Sequence, residues 1–163
     1  MKTIKLKIKN NIDLTKELKK FNSIVRFSFN RFQEGLKEKE IRHKVNYLFK
    51  NGAWFNQCAI KVGQQLFKKH KNKHIIFGSK KLLINYLKKL ITKEEYKIKK
   101  LLPINIQGEK ERKGNRLFNF DLCNSNIELK LSKKNHQLIE FCKPAKNQFR
   151  ELSKIQELVK NKE

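Results

Sequence analysis

The residues of this sequence that could hold a metal ion are two histidines and a few carboxylates. His70 and His74 have the H-x3-H spacing of zinc sites, but no paired cysteines accompany them and the neighbouring lysines repel a cation. Nuclease chemistry requires carboxylates that hold divalent ions against the scissile phosphate. Glu94 and Glu95 lie at the start of a predicted helix, where acidic side chains interact favourably with the helix dipole. Asp121 lies in a predicted hairpin strand and has no second carboxylate nearby in the sequence with which to share a metal ion. We therefore expect no metal, no cofactor and no enzymatic activity, and we interpret the histidines as phosphate donors or bystanders.

The three cysteines and the glycines give no sign of redox or nucleotide chemistry. Cys58, Cys123 and Cys142 are odd in number and widely spaced, so they predict neither a disulfide framework nor a paired-cysteine zinc site. Cys58 falls on an apolar helical face and is expected in the core. Neither glycine-containing segment matches a P-loop or a dinucleotide-binding fingerprint.

Two basic clusters, each beside a glycine-containing turn, are the candidate binding residues. The first flanks the turn Phe77–Ser79 and consists of Lys68, Lys69, Lys71, Lys73, Lys80 and Lys81. The second lies in a polar loop with two glycines and consists of Lys110, Arg112, Lys113, Asn115 and Arg116. Lysines supply charge to phosphates, arginines make bidentate contacts, and glycines let the backbone approach closely. Any single lysine could belong to a solvated face, but the two clusters together predict contact with nucleic acid.

The net charge supports this interpretation because it is large and unevenly distributed. Lys and Arg total 40 against 15 Asp and Glu, which gives +25. Between Lys61 and Arg116, 17 basic residues stand against 4 glutamates, so about a third of the chain carries over half of the excess. A low-GC genome would raise Lys at the expense of Arg, but it would not produce this gradient. We expect nucleic acid, rather than an anionic membrane surface, as the partner.

The first part of the chain is typical of one strand followed by a bundle of three helices. Thr3–Lys9 alternates lysines with Ile and Leu, which predicts a strand with one apolar and one cationic face. Asp13 is placed to cap a helix that reaches about Gln33 and ends at Gly35, and Asn51–Gly52 separates two further helices. The residues predicted to face inward on these two are Ile41, Val45 and Leu48, then Trp54, Cys58, Val62 and Leu66. Such helices could pack as a small antiparallel bundle, with most of their aromatic residues in the core.

The remaining elements alternate between short basic helices and strands. Thr92 and Glu95 have the spacing of a capping box. The predicted elements are, in order, a strand His74–Phe77, helices Lys80–Leu90 and Thr92–Lys100, a hairpin of Leu117–Leu122 with Asn126–Leu131, a strand Leu138–Phe141 and a helix Ala145–Lys160.

Several segments of the sequence resemble one known family. The most specific are Phe77-Gly-Ser-Lys-Lys-Leu, Lys93-Glu-Glu-Tyr-Lys, Leu101-Leu-Pro-Ile-Asn-Ile-Gln-Gly-Glu-Lys and Lys113-Gly-Asn-Arg-Leu-Phe-Asn-Phe, joined near the end by Glu151-Leu-Ser-Lys-Ile-Gln-Glu-Leu. They are similar to the N-terminal wedge and recognition region of TnpB-like proteins. Those proteins are transposon-associated RNA-guided nucleases related to type V CRISPR effectors, and the resemblance extends over nearly the whole chain.

The resemblance implies an α+β fold, with a small antiparallel wedge-like β-barrel or sheet, an inserted helical bundle and a C-terminal helix. It assigns residues 1–12 and 103–142 to the wedge, 13–102 to the helical recognition-like insertion, and 143–163 to the C-terminal helix. In the family these parts grip guide RNA and the guide–target heteroduplex by backbone shape. The RuvC nuclease half and the zinc ribbon of the family are not matched, so cleavage is not expected.

Three hypotheses about function follow from the resemblance. The first is a non-catalytic RNA-binding protein that inhibits or regulates an RNA-guided nuclease, as an anti-CRISPR protein of a phage or mobile element would. The second is one subunit of a split nuclease whose RuvC half is a separate partner chain, and the third is a degenerate transposase-derived DNA-binding regulator. Structured guide-type RNA is the expected partner, with a guide–DNA heteroduplex or an RNA-guided nuclease as alternatives. With no apolar run of membrane-spanning length and no signal peptide, we expect a cytoplasmic protein of a bacterium, or of a phage or mobile element in its host.

Overall fold

The computed structural model describes residues 13–71, 74–106, 118–121, 126–132, 135–140, 142 and 146–160. The expected strand Thr3–Lys9 lies outside these ranges. The chain divides into two compact units, one formed by Leu14–Asn105 and the other by Met1–Asp13 with Ile106–Glu163. The assignment of such units to wedge and recognition parts stays a prediction.

Three helices form the core of the first unit: α1 (Thr15–Gln33), α2 (Glu38–Phe49) and α3 (Ala53–His70). Their apolar residues recur every three or four positions, so each helix presents one apolar stripe to the others. The side chains buried between them are Phe21, Ile24, Val25, Phe29, Phe32, Ile41, Val45, Phe55, Cys58, Ala59 and Ile60. The predicted bundle and the core position of Cys58 are therefore confirmed.

The contact between α1 and α3 is close enough to require a glycine. A Cβ atom built on Gly63 would lie 2.9 Å from the Ser28 Cβ and 2.9 Å from the Val25 carbonyl oxygen. Ser28 is itself fully buried at this crossing. Because one of the obstructing atoms belongs to the backbone, a larger residue at position 63 would push the two helices apart.

A carboxylate on α2 joins that helix to α3. Glu38 accepts hydrogen bonds from the side-chain amides of Gln57 (2.9 Å) and Gln64 (3.3 Å), which are two turns apart on α3. It also accepts one from Arg42, a turn further along α2, at 3.0 Å. These donors stabilise the ionised carboxylate and hold its pKa below the ordinary value of 4.5, with the hydrogen bond from Gln57 as the largest cause.

Two details of the predicted bundle are wrong. Leu48, expected to face inward, is 57% exposed. The stripe on α2 instead ends at Phe49, whose ring packs edge-on against Phe27 with centroids 5.9 Å apart. Asp13 is also not the N-cap residue that the sequence predicted, because Leu14 occupies the N-cap position of α1.

Two short helices, α4 (Lys80–Leu87) and α5 (Lys93–Lys99), follow the bundle. The capping box predicted for Thr92 and Glu95 is present at the start of α5. The strand predicted over His74–Phe77 is wrong, because these residues belong to no strand among the described residues and the chain bends at Phe77. Their last residue, Phe77, packs against α1 instead.

The second unit contains a three-stranded antiparallel sheet in the order β1 (Phe118–Asp121), β2 (Asn126–Ser132), β3 (Asn135–Glu140). β1 pairs with β2 from Phe118 opposite Leu129 to Asp121 opposite Asn126. The pairing of β2 with β3 shifts register between Lys130 and Ser132. The predicted hairpin and third strand are confirmed, as is the last helix, α6 (Lys146–Lys160).

The predicted fold class, α+β built on a wedge-like β-barrel, is wrong. The described chain is mainly helical, since α1, α3 and α6 have 19, 18 and 15 residues whereas the three strands have 4, 7 and 6. Closure of a barrel requires its edge strands to pair, but β1 and β3 each pair only with β2 within the described residues. None of the helices in those residues combines the length and apolar character needed to cross a membrane.

Candidate nucleic-acid interface

Lysines at the end of α3 form the first part of the predicted basic cluster. Lys68 and Lys69 lie in its last turn with His70, where positive charge is favoured by the helix dipole. Lys71 follows with a positive φ of 45°, and its carbonyl oxygen accepts a hydrogen bond from the Gln33 side chain of α1 at 3.3 Å. The three lysines are exposed, so their ammonium groups are available to an external anion.

The turn Phe77–Ser79 is held by packing inside the first unit. The Phe77 ring lies under the Arg26 guanidinium, 4.7 Å from its centroid to Cζ, and edge-on to Phe29 at 6.3 Å. Gly78 has a φ of +95°, and a Cβ there would lie 3.0 Å from the Lys100 Cβ. The contact with Lys100 therefore explains why position 78 is a glycine without any ligand, besides the close approach to phosphate that the sequence suggested.

The start of α4 carries positive charge where a helix favours negative charge. Ser79 caps this helix by accepting a hydrogen bond from the Leu82 amide at 3.1 Å, and Lys80 and Lys81 follow at once with no acid in the first turn. By contrast, α5 has Glu94 and Glu95 in its first turn. Free backbone N–H groups at a helix start attract anions, so the paired lysines of α4 strengthen a field that a phosphate would neutralise.

The surface around these elements is strongly cationic. Residues 61–71 and 74–106 contain 12 lysines and 2 glutamates. One of the two, Glu95, is engaged in the cap of α5 and lies 3.8 Å from Lys99. The exposed lysines of the region are Lys68, Lys69, Lys71, Lys80, Lys81, Lys88, Lys89, Lys93, Lys97 and Lys99.

The tyrosines beside this surface stack on each other and leave their faces partly covered. Tyr86 of α4 and Tyr96 of α5 are nearly parallel, at 13° and with centroids 4.7 Å apart. The Lys100 ammonium lies 4.8 Å from the Tyr96 centroid. This arrangement joins the two short helices, and it favours contact with a phosphate backbone over stacking with bases.

The two histidines line one cleft together. His70 and His74 border a cavity of about 360 Å³ that Phe77 and Gly78 also line. The described part of the chain contains no group of three or more His, Cys, Asp or Glu that could hold a metal ion.

A comparison with known protein families shows to which family the chain belongs. The family described as the SSO2105 N-terminal domain matches residues 2–163. The chain belongs to this family. No curated protein and no solved structure matches it. The family match extends over both units, and the resemblance to TnpB-like nucleases stays a prediction beside it.

The described residues include five members of the predicted site. Lys68, Lys69 and Lys71 lie at the end of α3, and Lys80 and Lys81 at the start of α4, so they stand on both sides of the segment that contains the Phe77–Ser79 turn. All five are exposed. The other six predicted residues lie outside the described ranges: Lys73, Lys110, Arg112, Lys113, Asn115 and Arg116.

Sequence reasoning missed Arg26 and Lys100, which the fold brings to the same turn. Arg26 is a charged residue on a helix whose neighbouring positions are mostly apolar, and it follows Asn22 by one helical turn. That polar pair on an apolar face was the available signal. Nothing in the sequence pointed to Lys100, because its position depends on the contact with Gly78.

Proposed function

We propose that this protein binds RNA through the phosphate backbone and has no catalytic centre of its own. The observation that carries the proposal is the charge of residues 61–106, where 12 described lysines face 2 glutamates. Self-repulsion among so many exposed lysines disfavours the compact state unless a polyanion shares their field. The paired lysines at the start of α4 add to this repulsion.

RNA recognition by shape fits the kind of side chains that the surface offers. Binding through lysines and backbone N–H groups positions a nucleic acid without reading its bases. Of the eight phenylalanines of the first unit, four are buried in its core (Phe21, Phe29, Phe32 and Phe55) and the other four are partly buried. Structured RNA, with its dense phosphates and A-form helices, is recognised largely in this manner.

The biological role we propose follows the resemblance to TnpB-like proteins. The protein would act in the cytoplasm by occupying guide-type RNA, and so inhibit or regulate an RNA-guided nuclease. A chain with RuvC carboxylates that co-purifies with the protein would favour the split-nuclease reading. A stronger affinity for duplex DNA than for structured RNA would favour the transposase-derived regulator.

A pair of charge-matched variants tests the binding proposal. The first replaces Lys68, Lys69, Lys71, Lys80 and Lys81 by Gln; the control replaces the exposed lysines Lys16, Lys19, Lys20, Lys39 and Lys44 of α1 and α2. Both lose the same charge. We expect the first variant to bind a structured RNA at least about tenfold more weakly than the control in fluorescence anisotropy, because it loses direct phosphate contacts. An equal loss of affinity in both would show that binding follows net charge alone, and would contradict the proposed surface.

A further inference from the structure

We propose that Arg26 and Lys100 form a specific site for one phosphate of the RNA backbone, at the junction of α1 with the turn before α4 and the end of α5. This inference rests on the proposed RNA binding and adds a particular contact to it. Neither residue belongs to the basic clusters found in the sequence.

Arg26 is the first part of this site because its guanidinium is unsatisfied. Its Nε and Nη2 atoms are shielded from solvent and have no hydrogen-bond partner. One face of the group rests on the Phe77 ring, with Cζ 4.7 Å from the centroid. A cation–π contact of this kind leaves the in-plane N–H groups free, and shielded N–H groups of a charged side chain strongly favour an acceptor.

Arg31, one and a half turns further along α1, shows what a paired arginine looks like in the same helix. Its guanidinium also lies over a ring, that of Phe27, at 5.4 Å. Its Nη1 forms an ion pair with Glu34 at 2.6 Å, which Arg26 lacks, although the Arg31 Nε, like the Arg26 Nε, is shielded and has no hydrogen-bond partner. The comparison shows that one arginine of α1 has an anionic partner. Arg26, by contrast, has no anionic partner among the described residues.

Lys100 is brought to the same place by two contacts. The tight approach of its Cβ to Gly78 sets it beside the turn that contains Phe77. Two residues later, the Leu102 backbone is hydrogen-bonded to the side chain of Asn22, which is one turn before Arg26 on α1. These contacts fix the backbone of Lys100 beside the turn on which the Arg26 guanidinium rests, and its ammonium lies over the Tyr96 ring, 4.8 Å from the centroid, so little conformational entropy is lost on binding.

The electrostatics of the pair call for an anion. Burial, the charge of Arg26 and the charge of Lys97 all lower the pKa of Lys100, in that order of size. No carboxylate pairs with Arg26 or Lys100 in the part of the chain that the structure describes. Arg26 and Lys100 are each partly exposed as residues, and Lys97 is exposed.

A phosphate fits this site better than a carboxylate does. A guanidinium edge with a neighbouring ammonium matches the several oxygens of a phosphate, and Arg supplies the planar, bidentate contact that phosphates accept. The site also lies next to the turn that the lysines at the end of α3 and the start of α4 flank, which places it beside the proposed RNA surface.

The experiment compares two double variants with a short oligouridylate as the probe. Arg26→Gln with Lys100→Gln removes the site; the control, Arg31→Gln with Lys61→Gln, removes the same charge from two residues that also lie over aromatic rings. We expect the site variant to bind about ten- to a hundredfold more weakly than the control, with a salt slope lower by about 0.7, the value for one phosphate of a single strand. Arg26→Lys, which keeps the charge and loses the planar fork, should recover only part of the affinity.

The outcomes separate the site from the function. A wild-type protein that binds neither the oligouridylate nor a structured RNA contradicts the proposed function itself, and binding of the structured RNA alone overturns the site. Binding by the wild type with equal losses in both double variants overturns the site and leaves the function standing. Circular dichroism of the variants checks that each is folded, and the single variant Lys100→Gln, at a helix end, repeats the test if Arg26→Gln unfolds the protein.

A second arm identifies the source of the phosphate. The Arg26 Nε–H resonance is followed by NMR while either oligouridylate or inorganic phosphate is added. A shift with oligouridylate at concentrations where inorganic phosphate has no effect supports the backbone phosphate. A shift of equal size with inorganic phosphate at the same concentration would overturn it in favour of a free-phosphate site.

Discussion

Asn22 and Leu102 are 80 positions apart in the sequence and are joined by two reciprocal hydrogen bonds. The Asn22 side-chain amide donates to the Leu102 carbonyl oxygen at 2.9 Å, and the Leu102 amide donates to the Asn22 Oδ1 at 2.8 Å. Asn22 is 1% exposed. A single side chain of α1 thus satisfies both backbone groups of a residue that follows α5, and it fixes the end of the basic segment to the bundle.

Replacing Asn22 by Ala is expected to destabilise the protein by about 1–3 kcal/mol, because the polar backbone groups of Leu102 lose their partner. The loss should also be local: amide hydrogens of α4 and α5 should exchange faster than those of α1. Hydrogen exchange with mass spectrometry measures this difference. Ser23→Ala is the control, since the Ser23 hydroxyl bonds only to Lys19 of its own helix at an exposed position. Equal exchange in α4 and α5 of both variants would contradict the anchoring role of Asn22.

Replacing Gly63 by Ala tests the close crossing of α1 and α3. Alanine is the better helix former by roughly 1 kcal/mol, but its Cβ would meet the Val25 carbonyl oxygen and the Ser28 Cβ at 2.9 Å. Overpacking of this kind costs about 1–3 kcal/mol, so we expect a net destabilisation of about 1–2 kcal/mol. Chemical denaturation gives the value, with Gln65→Ala on the exposed side of α3 as a control that should stay within about 0.5 kcal/mol of wild type. A Gly63→Ala protein more stable than wild type would show that the helices are not in contact there.

Glu38 should make the stability of the protein depend on pH in the acidic range. Its pKa in the folded state lies below the ordinary value of 4.5, chiefly because Gln57 donates a hydrogen bond to the carboxylate. A lowered pKa means that the unfolded chain binds the proton more tightly, so stability rises with pH. The contribution of Glu38 is therefore present above pH 4.5 and is lost as the pH falls through the lower, folded-state value.

Glu38→Gln is expected to flatten that part of the pH dependence. The measurement is the free energy of unfolding between about pH 6 and pH 3, compared for wild type, Glu38→Gln and the exposed control Glu94→Gln. The control should keep the wild-type slope. If Glu38→Gln keeps it as well, the bridge from α2 to α3 does not stabilise the ionised carboxylate.

Local signals in the sequence were sufficient to predict most of the helices. The capping box of Thr92 with Glu95 and the break at Asn51–Gly52 depend on short-range chemistry, and the structure has both, the break lying between α2 and α3. The fold class followed from the resemblance to TnpB-like proteins, and it was wrong because strand pairing depends on distant partners that similarity of short segments does not reveal. Alternation predicted the strands, but it could not show that β1 and β3 stay unpaired with each other among the described residues.

The candidate site was predictable only where basic residues follow one another closely in the sequence. The lysines at the end of α3 and the start of α4 are visible as clusters in the sequence, and the structure shows them exposed. For Arg26 the sequence offered only its polar pair with Asn22 on an otherwise apolar face, which does not by itself indicate binding. Its proximity to Lys100 depends on the bonds between Asn22 and Leu102, which no periodicity reveals.

The salt dependence of RNA affinity tests the central claim most directly. If the protein binds through roughly 6–10 phosphate contacts, its affinity for a structured RNA should fall by ~10³–10⁵-fold between about 50 and 200 mM salt. Fluorescence anisotropy at a series of salt concentrations gives the slope of log affinity against log salt. A steep linear decrease is the result we predict. Tight binding that is unchanged by salt, or no binding at the lowest salt concentration, would contradict an interface built from lysines and phosphates.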